Sequence, residues 1–144
     1  MVEISPEEAI LRAREALELP PSVSAQALRV ERLDRPASAY FLVLLSYGGR
    51  ERHVALVDAR TGALDEDAEI TGTDGHLMVN MEQAIAAAKL GGPVSARLVW
   101  RPGRASQSPL YPIWEISSAT ERRFVDQQGQ LWDVFPSSGR GGGS

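Results

Sequence analysis

The stretch Tyr40-Phe41-Leu42-Val43-Leu44-Leu45-Ser46-Tyr47-Gly48-Gly49 decides how this 144-residue chain is read. Eight uncharged, mostly apolar residues followed by turn residues form a continuous apolar run of strand length. Gly48-Gly49 supplies the two positive φ angles of a two-residue hairpin loop, which returns the chain as a strand over about Arg50 to Asp58. Asp58-Ala59-Arg60-Thr61-Gly62 then forms a turn, the aspartate bonding its own backbone and the glycine free to turn left-handed, before a short strand at Ala63-Leu64. Upstream, Leu28 and Val30 alternate with Arg29 and Glu31 as in a half-buried strand. These pieces make an antiparallel meander.

A helix precedes it. Ser5-Pro6-Glu7-Glu8 has capping-box spacing with proline at the first helical position, and Ile10, Ala13 and Leu17 line one face until Pro20-Pro21. Asp65 to Gly75 is acidic, glycine-containing and aperiodic, and reads as a connector. The order of elements then starts again. Asn80 with Gln83 is a second capping box, Ala84, Ile85 and Ala88 give a narrow apolar face, and Gly91-Gly92-Pro93 ends the helix. Ala96, Leu98 and Trp100 alternate with Arg97, Val99 and Arg101; Leu110 to Ser118 and Arg122 to Asp126 follow as strands; Asp126-Gln127-Gln128-Gly129 turns, and Gln130 to Phe135 closes.

The two halves align. Val23-Ser24-Ala25 falls on Val94-Ser95-Ala96 and Tyr40 on Tyr111 at a shift of 71; Val57-Asp58 falls on Val125-Asp126 at 68, Gly62 on Gly129 at 67, and Glu8-Ala9-Ile10 on Gln83-Ala84-Ile85 at 75. The expected fold is α+β: two repeats of one helix followed by a 3–4-stranded antiparallel meander sheet, packed as one compact unit. The first repeat spans 1–66 (helix 5–19, strands 26–64), the connector 67–78, the second repeat 79–136 (helix 80–90, strands 95–135), and 137–144 is a disordered glycine-rich tail or appended linker. A repeat of roughly 60 to 70 residues is marginal alone and gains by packing on a neighbour.

Each half resembles the PepSY domain, the first in His53-Val54-Ala55-Leu56-Val57-Asp58-Ala59-Arg60-Thr61-Gly62-Ala63, the second in Tyr111-Pro112-Ile113-Trp114-Glu115-Ile116 and Arg123-Phe124-Val125-Asp126-Gln127-Gln128-Gly129-Gln130-Leu131. That resemblance, over about Ser5 to Phe135, implies a non-catalytic α+β module that binds or inhibits peptidases or regulates an attached activity. It brings no catalytic or ligand residues with it.

Composition narrows the function classes. With 43% hydrophobic and 24% charged residues the chain reads as globular. Lys89 is the single lysine, and a net charge of −4 argues against nucleic acid as a partner. No apolar run reaches the roughly 18 residues of a membrane helix, and the N-terminus lacks an export leader, so membrane insertion is not expected. As written the chain reads as soluble and cytoplasmic, or exported if a leader has been removed. Without cysteine there are no disulfides, thiol nucleophiles or cysteine metal sites. Asp65, Asp67 and Glu69 have the alternate spacing of a calcium loop, but Ile70 and His76 stand where that loop needs glycine and a carboxylate. His53 and His76 form no ligand pair, and no hydrolase elbow, phosphate loop or dinucleotide fingerprint occurs. No catalytic, cofactor or metal residue is expected, and Asp58, Gly62, Asp126 and Gly129 are read as structural turns.

A protein partner, a peptidase among them, is the expectation that remains. All three tryptophans, Trp100, Trp114 and Trp132, lie in the second half. Trp100 shares a face with Leu98 and Ala96 and is read as core. Trp114, opposite in phase to Ile113 and Tyr111, is the surface candidate. With Tyr111, Arg97, Arg101 and Arg104 it forms the expected protein-binding surface, an exposed sheet face or edge. The competing expectation is a structural protein that forms a homodimer through this aromatic sheet surface. Residues 1 to 75 carry a net −6 and residues 76 to 144 a net +2.

Overall fold

A computed structural model describes residues 2–35, 37–70, 76–77, 79–103 and 106–133. The chain is α+β and divides into two compact units, Met1–His76 and Leu77–Ser144. The boundary falls within the stretch expected to connect two halves.

The first unit holds helix α1 (Pro6–Ala16) and strands β1 (Ser24–Arg32), β2 (Ser38–Tyr47), β3 (Arg50–Asp58) and β4 (Leu64–Glu69), paired antiparallel in the order β4-β3-β2-β1. The β2–β3 hairpin is closed by Gly48 and Gly49 at φ of 66° and 85°, as its sequence requires. Strand β2 is buried on both faces. Ala39, Phe41, Val43 and Leu45 pack with Ala55 and Val57 of β3 and with Ala9 and Ala13 of α1. Small side chains on both partners let the helix lie close. The other face, with Val30, Tyr40, Leu42, Leu44, Val54 and Leu56, is equally buried. The chain before α1 is tied down by Ile4 N–H donating to the Ala59 carbonyl at 2.7 Å and by the forked Arg29 guanidinium, at 2.8 and 2.9 Å from the two Glu3 oxygens.

Helix α1 starts as read, the Ser5 hydroxyl accepting from Glu8 N–H at 3.0 Å, although the Glu8 carboxylate turns to Arg12 at 2.7 Å. It ends earlier than 19. Glu18 N–H donates to Glu15 O and Leu19 N–H to Arg14 O, a Schellman closure with Glu18 in the left-handed position at φ 56°. The helix thus ends before the prolines act. A side chain at that φ is strained, so Glu18→Gly is expected to raise stability by about 0.5–1 kcal/mol, read as a shift in the urea midpoint.

The acidic stretch read as connector is a correction: Leu64–Glu69 is strand β4, pairing with β3 from Val57↔Leu64 to His53↔Glu69. Asp65 is the extra residue of a bulge, since Leu56 pairs with Glu66 while Val57 pairs with Leu64. Residues 71–75 and 78 of the expected connector lie outside the described residues.

The second unit holds helix α2 (Met81–Ala88) and strands β5 (Ser95–Trp100), β6 (Ile113–Ser117), β7 (Arg122–Val125) and β8 (Leu131–Trp132), antiparallel in the order β5-β6-β7-β8. The Asn80/Gln83 capping box is complete, with Asn80 N–H donating to Gln83 Oε1 at 2.9 Å and Gln83 N–H to Asn80 Oδ1 at 2.8 Å. Helix α2 closes on Lys89 in the left-handed conformation at φ 55°. The tail 137–144 and Phe135 lie outside the described residues, and among those described no helix is long and apolar enough to cross a membrane.

Candidate functional site

The face of the second sheet that meets α2 is fixed by two side-chain bonds. The Trp114 indole N–H donates to the Val79 carbonyl just before the helix at 2.8 Å, and the Arg123 guanidinium donates to the Ala88 carbonyl at its end, also at 2.8 Å. Register then puts Leu98, Trp114 and Val125 side by side on that face, with Ala96, Ile116 and Arg123 beside them. Trp114 is 7% exposed. This overturns Trp114 as a surface residue: it is a clasp on the helix entrance. Gln127 completes the clasp, accepting from Val79 N–H at 2.9 Å and donating to the Pro112 carbonyl at 3.1 Å. Trp100, read as core, is buried as expected.

Of the other expected surface residues, Tyr111 is exposed, in the loop between β5 and β6, where its N–H donates to Ser108 O and its carbonyl accepts from the Ser106 hydroxyl. Its counterpart in the sequence alignment, Tyr40, is instead buried inside β2, so the two tyrosines do different work. Arg101 is half-buried and follows β5, while Arg104 lies outside the described residues. Arg97 sits on the sheet face away from α2, its guanidinium 3.0 Å from the buried Glu115. Among the described residues the second half shows no exposed aromatic sheet face: Trp100, Trp114 and Phe124 are buried and Trp132 is half-buried.

The four turn residues are built as read. At the end of β3, Asp58 Oδ2 accepts from the amides of Arg60 and Thr61 at 3.0 and 2.8 Å, and Gly62, at φ 77°, donates back to the Asp58 carbonyl. After β7, Asp126 Oδ1 accepts from the amides of Gln128 and Gln130, both at 2.9 Å, its Oδ2 accepts from the Trp132 indole at 2.9 Å, and Gly129 stands at φ 83°. The second turn is one residue shorter. Burial pulls the Asp58 carboxyl upward, but the Thr61 and Arg60 amides and the Thr61 hydroxyl outweigh it and hold the group below the ordinary aspartate value. A depressed native pKa binds fewer protons than the unfolded chain, so this stability is complete above about pH 4 and is lost as pH falls through the native value. Asp58→Asn keeps an oxygen for both amides. It is expected to leave neutral-pH stability within about 1 kcal/mol of wild type and to flatten the acid limb of the stability–pH curve, measured by urea unfolding between about pH 2 and 6.

The sequence pointed away from the feature that now stands out, the edge of the first sheet. Strand β4 is the terminal strand and carries Asp65, Glu66, Asp67 and Glu69, all exposed. Ile70 N–H donates to Arg52 O at 2.9 Å, so by antiparallel alternation Ala68 and Glu66 also face β3, while the N–H and C=O of Asp67 and Glu69 point outward. Asp67 is steadied by His53, whose Nε2 lies 2.7 Å from Asp67 Oδ2. The sequence carries little signal for this edge: the bulge at Asp65 sets Leu64, opposite Val57, and Ala68, opposite Val54, on different faces, and the other residues of the strand are carboxylates.

No family model matches the chain, and no curated protein does. Among solved structures, a candidate lipoprotein of Clostridium difficile 630 is similar to it at 15% identity over 92% of each chain, with a TM-score of 0.40. Neither value carries a fold or a function over to this protein.

Proposed function

We propose that the chain is a non-catalytic binding protein of two PepSY-like units that takes an extended, basic segment of a partner protein along β4. The observation that carries this reading is the open, acidic edge: outward backbone donors and acceptors at Asp67 and Glu69, framed by exposed carboxylates of Asp65 and Glu66. An extended peptide gains main-chain hydrogen bonds by adding a strand there, and alternate lysine or arginine side chains meet the carboxylates. The PepSY resemblance makes a peptidase the class of partner to try first.

The test is fluorescence anisotropy with a labelled octapeptide alternating valine with lysine and arginine, its backbone N-methylated form, and a glutamate-substituted form. Strand addition predicts that the first binds, that N-methylation at unchanged charge weakens binding at least tenfold, and that the glutamate form does not bind. Asp65→Lys with Glu66→Lys should weaken the first peptide and reduce its salt dependence. Equal binding of the methylated form, or no binding of the basic peptide at millimolar concentration, sinks the reading. Light scattering on the protein alone checks the competing reading, in which the bound chain is a second copy.

A further inference from the structure

The sheet face of the second unit that looks away from α2 carries a buried carboxylate under two outward-reaching arginines. Glu115, with a side chain 7% exposed, has Oε1 at 3.0 Å from Arg97 and Oε2 at 3.9 Å from Arg122, whose side chains are 50% and 62% exposed. The three come from three neighbouring strands, and register places Ser95 beside Ser117 and Ser117 beside Arg122 on the same face. Ser117 Oγ is 3.5 Å from Glu115 Oε2. The nearby acid Glu121 is taken by Arg123, at 3.0 Å.

We infer that Arg97 and Arg122, held by Glu115, form a receptor for a single carboxylate group. Arg97 spends one of its five N–H donors on Glu115, and Arg122 at 3.9 Å makes an ion pair too long to be a hydrogen bond, so both forks keep donors for a ligand. The charge count selects the ligand. Two guanidiniums over one carboxylate leave one positive charge, which a carboxylate neutralises, whereas a phosphate dianion brings a surplus negative charge up against buried Glu115. Guanidinium and carboxylate also match as planar, two-pronged partners. The site lies on other strands than the β4 edge and does not depend on the strand-addition reading.

The experiment follows the arginine side-chain Nε–H signals by NMR on the full chain during titration with the capped tripeptide acetyl-Ala-Asp-Ala-amide, its asparagine analogue, acetate, and inorganic phosphate. The Arg97 and Arg122 signals should move with the aspartate peptide and not with the asparagine one, and phosphate should bind more weakly. Arg97→Gln or Arg122→Gln, both at exposed side chains, should each weaken the aspartate peptide at least fivefold. Glu115→Gln should reverse the order, phosphate then binding more tightly; if that variant does not fold, the two arginine variants carry the test. Acetate binding within tenfold of the peptide identifies a small carboxylate as ligand, and a larger gap in favour of the peptide identifies an acidic residue of a protein. Equal response to the asparagine peptide, indifference to both arginine substitutions, tighter phosphate binding to the unaltered protein, or an unreversed order in folded Glu115→Gln overturns the inference.

Discussion

Trp114→Ala is expected to cost about 3–5 kcal/mol, enough to unfold the second unit of a marginally stable protein near physiological temperature. The side chain is buried between Leu98 and Val125, and its loss leaves a cavity that a sheet pinned on both sides cannot collapse to fill. The substitution also removes the indole N–H from the Val79 carbonyl, freeing the segment that presents the Asn80 cap. Trp114→Phe separates the two contributions. It keeps most of the apolar contact and loses the hydrogen bond, for an expected cost of about 1–3 kcal/mol. Urea unfolding of the three proteins measures both; a Trp114→Ala protein within 1 kcal/mol of wild type would mean that the ring is not part of the core.

Asp126→Ala is the second large effect, expected at about 2–4 kcal/mol. Asp126 is 2% exposed, and its two oxygens satisfy three donors, the Gln128 and Gln130 amides and the Trp132 indole, so alanine strands all three. Asparagine can keep one oxygen on the two amides and must then turn its NH2 toward the indole N–H, so Asp126→Asn should cost about half as much. The contrast with Asp58→Asn is the informative comparison: there one oxygen takes both amides, and the remaining partner, the Thr61 hydroxyl, can accept from the asparagine NH2. Two turns that look alike in sequence should therefore respond unequally to the same change. Thermal melts of the three variants against the unaltered protein decide it.

What was legible in the chain was mostly local. The Asn80/Gln83 box, the Gly48-Gly49 hairpin and both aspartate turns, the Trp132 indole on Asp126 apart, involve partners within five residues, so spacing and residue type suffice to read them. Three things carried no such mark. The end of α1 rests on Glu18 in a conformation usually given to glycine, which leaves no compositional mark. Strand β4 is extended because β3 offers it a ladder, and its own aspartates and glutamates are poor strand formers. For Trp114, alternation separates two faces without saying which one carries the helix, so the sequence points it to the wrong face. The deciding contact, Val79, lies 35 residues away. The candidate surface shifted for the same reason: Arg97 kept its exposure and gained Glu115 and Arg122 as neighbours, while Tyr111 stayed exposed in a loop, apart from the sheet face.

The uneven placement of tryptophan gives the protein a built-in optical label. Every tryptophan belongs to Leu77–Ser144, and Met1–His76 contains Tyr40 and Tyr47 but no indole. Emission excited at the red edge of the absorption band therefore follows the second unit alone, whereas far-ultraviolet ellipticity sums both. Superimposable melting curves from the two signals would show that the units lose structure in one concerted step; separated curves would give each its own midpoint without any added dye or engineered residue.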